Sequence, residues 1–151
     1  MKTLSLTQPW ATLVVTGAKR FETRSWTTTY RGPLLIHAAK KYPVFARRFA
    51  LAERYLGRRR DDLPLGAIIG RVVLKNVCPT EEVAPYLTDL ERLYGDYTPG
   101  RWAWELEEAV RLAQPIPWRG ALKLFEVDID GLTGMVIASP SGRSADEVQS
   151  G

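Results

Sequence analysis

The chain has 151 residues, 45% hydrophobic and 25% charged, a composition that fits one globular domain and excludes a second full domain or a disordered chain. Its net charge of +4 is unevenly spread: residues 1–60 carry 13 Lys/Arg against two acids, Glu22 and Glu53, whereas residues 61–151 carry 8 against 15. The basic part reads as an electrostatic footprint for a polyanion, or as a surface that the acidic part folds back to neutralise.

In chain order, Thr3–Leu6 alternates as a short strand. Thr7 suits a helix N-cap, and Pro9 a first turn, so residues 8–16 read as a short helix with Trp10, Leu13 and Val14 on one face and Gly17 as its stop. Residues 17–31 read as a polar, basic, aromatic loop. Residues 33–38 form a buried strand, and 43–57 a helix with Phe45, Phe49, Ala52 and Leu56 on one face, then a solvated turn at 58–62. A long strand covers 66–77, with Gly70 marking a bend or bulge. Residues 80–94 suggest a weak helix opened by Thr80. A turn-rich stretch, 94–100, leads into alternating strands at 101–108 and 121–129. The tail beyond Gly131 holds one apolar patch, 135–138, and a loose polar end. Irregular alternation of strands and short helices predicts an α+β domain built on a small, strongly bent sheet or barrel.

Several chemistries drop out. One cysteine, Cys78, excludes an internal disulfide and a cysteine-built zinc site, and one histidine excludes a multi-histidine metal centre. Glycine-rich phosphate loops, dinucleotide fingerprints and G-x-S-x-G elbows are absent. No cofactor and no metal are expected. No apolar run approaches the roughly 20 residues of a membrane helix, and no signal peptide is legible, so the expected setting is cytoplasmic, with no membrane partner.

What remains is Gly17-Ala-Lys-Arg-Phe-Glu-Thr-Arg-Ser-Trp26. Lys19, Arg20 and Arg24 surround Glu22, with Phe21 and Trp26 interleaved and Trp10 just upstream. Cations neutralise phosphates, aromatics stack on unpaired bases, and Gln8 and Glu22 offer groups for a base edge. Each has a plainer reading. Trp10 and Phe21 pack in the core, Glu22 pairs with Lys19 or Arg24, and His37 is a satisfied core histidine. Arg47, Arg54 and Arg58 form a solvated helix face, and Trp102 and Trp104 pack inward, leaving Arg101 and Glu105 opposite.

These residues resemble the ASCH domain family (activating signal cointegrator homology). Leu4–Ala11 is similar to its opening block. Gly17, Lys19, Glu22 and Arg24 fill its G-x-K-x-x-E-x-R loop, and Arg31–Ala38, Gly66–Gly70 and Tyr94–Leu106 follow in the family's order. The resemblance covers roughly residues 3–127, leaving 128–151 as a partly flexible extension. It implies a PUA-like β-barrel with short flanking helices and a nucleic-acid-binding cleft walled by the signature loop. On that resemblance the cleft positions are Gln8, Trp10, Lys19, Glu22, Arg24 and Trp26, with His37, Lys40 and Arg101 as neighbours and Arg20 as a further phosphate contact.

The expected function is binding of single-stranded RNA, or of one splayed base, by a monomer. Two other classes stay open. One is a hydrolase. Some relatives deacetylate N4-acetylcytidine with a threonine nucleophile, where this chain has Glu22, and a catalytic lysine that falls on Lys19. Others are ribonucleases, for which Lys19 with His37 or Tyr30 is the candidate set. The other class is a protein-interaction module using the basic 43–57 helix.

Overall fold

The computed structural model describes residues 1–42 and 63–128, and the backbone of 137–138. The expected 43–57 helix, the 58–62 turn, and Arg47, Arg54 and Arg58 lie outside the described residues, as does the tail apart from 137–138.

The described chain runs β1 (Lys2–Leu6), α1 (Trp10–Val15), β2 (Phe21–Arg24), β3 (Gly32–Ala38), β4 (Ala67–Pro79), α2 (Thr80–Val83), a 3-10 turn (Ala84–Tyr86), α3 (Asp89–Leu93), β5 (Trp102–Pro117), β6 (Leu124–Glu126) and β7 (Ile137–Ala138). One sheet takes the order β2-β5-β4-β3-β1-β6, with β7 pairing β5 off that path. β1 and β3 are parallel (Thr3↔Leu35, Leu6↔Ala38), and the other ladders are antiparallel. The α+β expectation holds, in the form of a sheet curled into a half-barrel with short helices beside it. The curl comes from β4 and β5, whose register shifts at Ile68/Gly70, Arg71/Val73 and Leu74/Asn76 bend a long hairpin. Glu108, at φ 51, occupies the left-handed region within that bulged stretch.

Inside the curl sit Leu4, Leu6, Leu34, Ile36, Val72, Leu74, Trp104 and Leu106, and α1 covers them with Ala11, Val14 and Val15. Alternation along β3 sends Leu35 to the opposite face, where it meets Ile68, Leu112 and Val127. Because β3 is buried on both faces it reads as a continuous apolar run.

Four local expectations change. Thr7 does not cap α1. Pro9 occupies the cap position without a side-chain bond, and the Gln8 amide oxygen accepts from Thr12 N at 3.0 Å instead. Gly17 does stop the helix, at φ 82. The 17–31 loop contains β2, an edge strand registered on β5 from Phe21↔Glu105 to Arg24↔Trp102. The 80–94 helix is three pieces, because Pro85 lacks the N–H that would continue it, and Thr88 then recaps α3 through Glu91 N at 3.1 Å. The 121–129 strand contracts to Leu124–Glu126, held by β1.

Candidate nucleic-acid interface

β2 runs antiparallel to the start of β5 at the edge of the sheet. Glu22, Thr23 and Arg24 form one wall of a cleft of about 460 Å³. Trp10 of α1, Ser5 and Thr7 around the end of β1, and Ala39 after β3 line its floor. Leu93, Tyr94, Gly95, Asp96 and Arg101 close it from the other side. That volume lies in the range of small-molecule sites.

Glu22 is 9% exposed. Its Oε1 accepts from Thr23 N at 2.9 Å and lies 3.6 Å from the Lys19 ammonium, and its Oε2 lies 3.6 Å from Arg24 Nη2. Arg24 also donates from Nη2 to the Ser5 carbonyl at 3.0 Å, while its buried Nε has no hydrogen-bond partner. Opposite, Asp96 N donates to Thr23 Oγ1 at 3.0 Å, and Arg101 Nε donates to the Asp96 carbonyl at 3.1 Å. Hydrogen bonds from the Thr98 hydroxyl and amide, then the Arg101 charge, hold the Asp96 carboxyl below the usual range. Two carboxylates thus face two guanidiniums, so the cleft offers acceptors and donors together, unlike a uniformly basic groove.

The expected site residues divide. Trp10, Glu22, Arg24 and Arg101 meet at this cleft, and the other six do not line it. Gln8 is fully buried, with its amide nitrogen donating to the Pro64 carbonyl at 3.0 Å and its oxygen occupied by Thr12 N. The Lys19 side chain has no exposure, and its ammonium donates to the Phe21 carbonyl and faces Glu22, so it is not placed to touch a phosphate. Arg20 is exposed but lines a second cleft on the far side of α3. Trp26 meets Trp104 edge-on at 4.8 Å between centroids, with the Lys123 ammonium 5.9 Å from its ring.

His37 is 1% exposed, its Nε2 lies 2.7 Å from the Trp118 carbonyl, to which it donates, and its Nδ1 lies 2.9 Å from Ser5 Oγ. Both nitrogens are therefore committed. Lys40 is exposed near Gly66. The candidate cleavage set disperses as well, since the Tyr30 hydroxyl donates to the Pro33 carbonyl. Burial, then the Glu82 and Glu105 charges, push the Cys78 thiol up, away from the thiolate a nucleophile requires.

Trp10 joins both of its readings, because it packs on Leu13 and Tyr94 while lining the cleft. The residues missed from sequence are Ser5, Thr7, Thr23, Ala39 and Leu93–Asp96. For Tyr94–Asp96 the signal was the turn-rich 94–100 stretch, which lies far from the signature loop in the chain and beside it in space.

Among the described residues no helix is long and apolar enough to cross a membrane. A family model for the ASCH domain matches residues 4–116. Activating signal cointegrator 1 of Homo sapiens is 37% identical over 95 residues, which are 59% of this chain but 16% of that protein, and the Mus musculus counterpart matches equally. The chain therefore spans about a sixth of those relatives' length. The crystal structure of a point mutant of the ZmASCH protein from Zymomonas mobilis superposes with TM-score 0.57 at 15% identity, covering 89% of this chain and 97% of that one. The ASCH structure from the same organism gives 0.54 at 16%, covering 85% and 88%. At those identities the two structures speak to the fold. With the model match spanning most of the sequence, the chain belongs to the ASCH domain family, within the PUA-like superfamily.

Proposed function

We propose that the protein binds single-stranded nucleic acid, RNA foremost, by taking one splayed nucleotide into the cleft between β2 and the 93–96 segment. The observation that carries this reading is the convergence of Trp10, Glu22, Arg24 and Arg101 on one cleft of small-molecule size. Membership of a family associated with nucleic acids supports it.

In this reading the Trp10 ring stacks on the base, and Glu22 accepts from a base N–H. Arg24, with a buried Nε lacking a partner, donates to the ligand, and Arg101 faces its phosphate. Lys19 and Gln8 act behind the surface: one holds the Glu22 carboxylate, the other the first turn of α1 beneath Trp10. A mixed pair of acids and cations suits a base and its sugar-phosphate together better than it suits a bare polyanion.

The test is a fluorescence-anisotropy titration of labelled single-stranded RNA at two salt concentrations. Trp10→Leu should weaken binding by about 5- to 150-fold, since stacking is worth ~1–3 kcal/mol per base. Arg101→Ala should weaken binding and make the log–log salt slope shallower by about 0.7, the share of one phosphate contact on a single strand. Folded variants with unchanged affinity and slope would overturn the reading.

A further inference from the structure

α3 reaches the cleft from behind, and one of its side chains is bonded to the opposite wall. Glu91 is 9% exposed. Its Oε1 accepts from Arg20 N at 2.6 Å and from Phe21 N at 3.0 Å, both at the entry to β2. Its Oε2 is buried with no hydrogen-bond partner. The Tyr94 amide bonds to the Leu90 and Glu91 carbonyls, so the segment that follows α3 is an extension of the helix. That segment, Leu93–Asp96, is the cleft wall, and its far end is tied to β2 by Asp96 N and Thr23 Oγ1. The wall is thus pinned to β2 at both ends, by Glu91 at one and Thr23 at the other.

We propose that Glu91 is a positioning residue for the cleft: its carboxyl group clamps the 93–96 wall to the start of β2 and fixes the cleft's width, without touching the ligand. The inference rests on the cleft being the nucleotide site, and it adds a residue that neither the signature loop nor the cleft lining contains.

The clamp has a chemical signature. Facing Glu91 are Lys19 and Arg20, whose charges favour the carboxylate, and Tyr97, whose own ionisation Glu91 opposes. Glu105 of β5 shares the second cleft with it, and Asp89 and Arg92 flank it on α3. Burial outweighs the two cations and the two backbone hydrogen bonds, and holds the carboxyl above the usual range. A group that binds its proton more tightly in the closed wall than in water favours closure as pH falls through that raised value. The advantage is complete below the ordinary carboxylate range and is lost as pH rises past the raised one. Glu91→Gln keeps an acceptor for the two amides and cannot ionise, so it mimics the protonated clamp at every pH.

The test uses the 15N-labelled full chain without ligand, titrated from about pH 8 to about pH 5, and then RNA affinity at both ends, with a mixed-sequence oligonucleotide whose label does not titrate. In wild type the Gly95 and Asp96 amide resonances should move with one transition above the ordinary carboxylate range, and affinity should rise as pH falls. In Glu91→Gln both readouts should be flat and nearer to wild type at the acidic end of the titration than at the alkaline end. Glu91→Ala, if folded, should lose about tenfold in affinity at either pH. If it does not fold, the Gln variant decides. Wall amides that titrate alike in wild type and Glu91→Gln would overturn the clamp. Should wild type bind no RNA, the reading of the cleft falls, and the ligand-free amide titration still decides the clamp.

Discussion

Lys19 places its ammonium where solvent does not reach, between the Phe21 carbonyl and the Glu22 carboxylate. Removing it takes away the ammonium donor to the Phe21 carbonyl and one of the two cations beside the largely buried Glu22 carboxylate, so Lys19→Ala is expected to cost about 1–3 kcal/mol in urea unfolding. Lys19→Met combined with Glu22→Gln deletes both charges at similar volume and should recover most of that loss. An unchanged midpoint for Lys19→Ala would mean the ammonium is solvated. The G-x-K-x-x-E-x-R pattern is local, and Lys19 and Arg24 each lie 3.6 Å from the Glu22 carboxylate. The pattern does not divide the labour among them. Whether a lysine faces a phosphate or a buried carboxylate depends on what packs around it, and here α3, 70 or more residues away, bonds through Glu91 to the adjoining Arg20 and Phe21 amides. The same holds for Gln8, whose amide nitrogen is consumed by Pro64. Short-range spacing carries residue types; long-range packing decides which of them remain free.

At the level of elements, Gly70 shows how closely α1 lies on β4. A Cβ there would sit 2.5 Å from the Val110 carbonyl oxygen and 2.5 Å from Val15 Cγ1. Neither neighbour is the loose end of a long side chain, so Gly70→Ala should destabilise by about 2–3 kcal/mol and lower the thermal midpoint by several degrees. A midpoint within a degree or so of wild type would show that α1 can slide. Gly70 was legible as a bend because it interrupts an apolar strand run, and β3 was legible because both its faces are buried. β2 was not. Phe21-Glu22-Thr23-Arg24 is four residues of mixed polarity, and it becomes a strand through its ladder with β5. The 80–94 region failed in the other direction: its acidic first turn is real, but Pro85 at its centre divides the expected helix.

For the molecule as a whole, β5 is the spine. It pairs with β4 along one edge, and with β2 and then β7 along the other. Ending the chain at Asp128 should leave the fold and the cleft intact. It should also speed amide exchange around Arg111 and Leu112, the residues that β7 covers, and loss of cooperative unfolding in the shortened chain would reject this division. The α+β class was readable from the count and irregular order of apolar segments, because that count reports how many faces need burying. The strand order was not readable, since nothing local says that residue 2 meets residue 126.

That last pairing bears on how the protein is made. β1 is made before the other strands of this domain, and its outer edge is covered by β6, with Lys2 opposite Glu126. Its inner edge waits for β3, which pairs through Thr3↔Leu35. Throughout synthesis of the intervening hundred or so residues, β1 therefore presents a row of unpaired backbone groups. Closure is a late event, set by the arrival of a three-residue strand near the end of the domain. Nascent chains stalled before Leu124 should be more open to protease and more prone to strand-edge association than chains stalled well beyond Val127, so the last few residues of the domain govern when its first strand becomes safe.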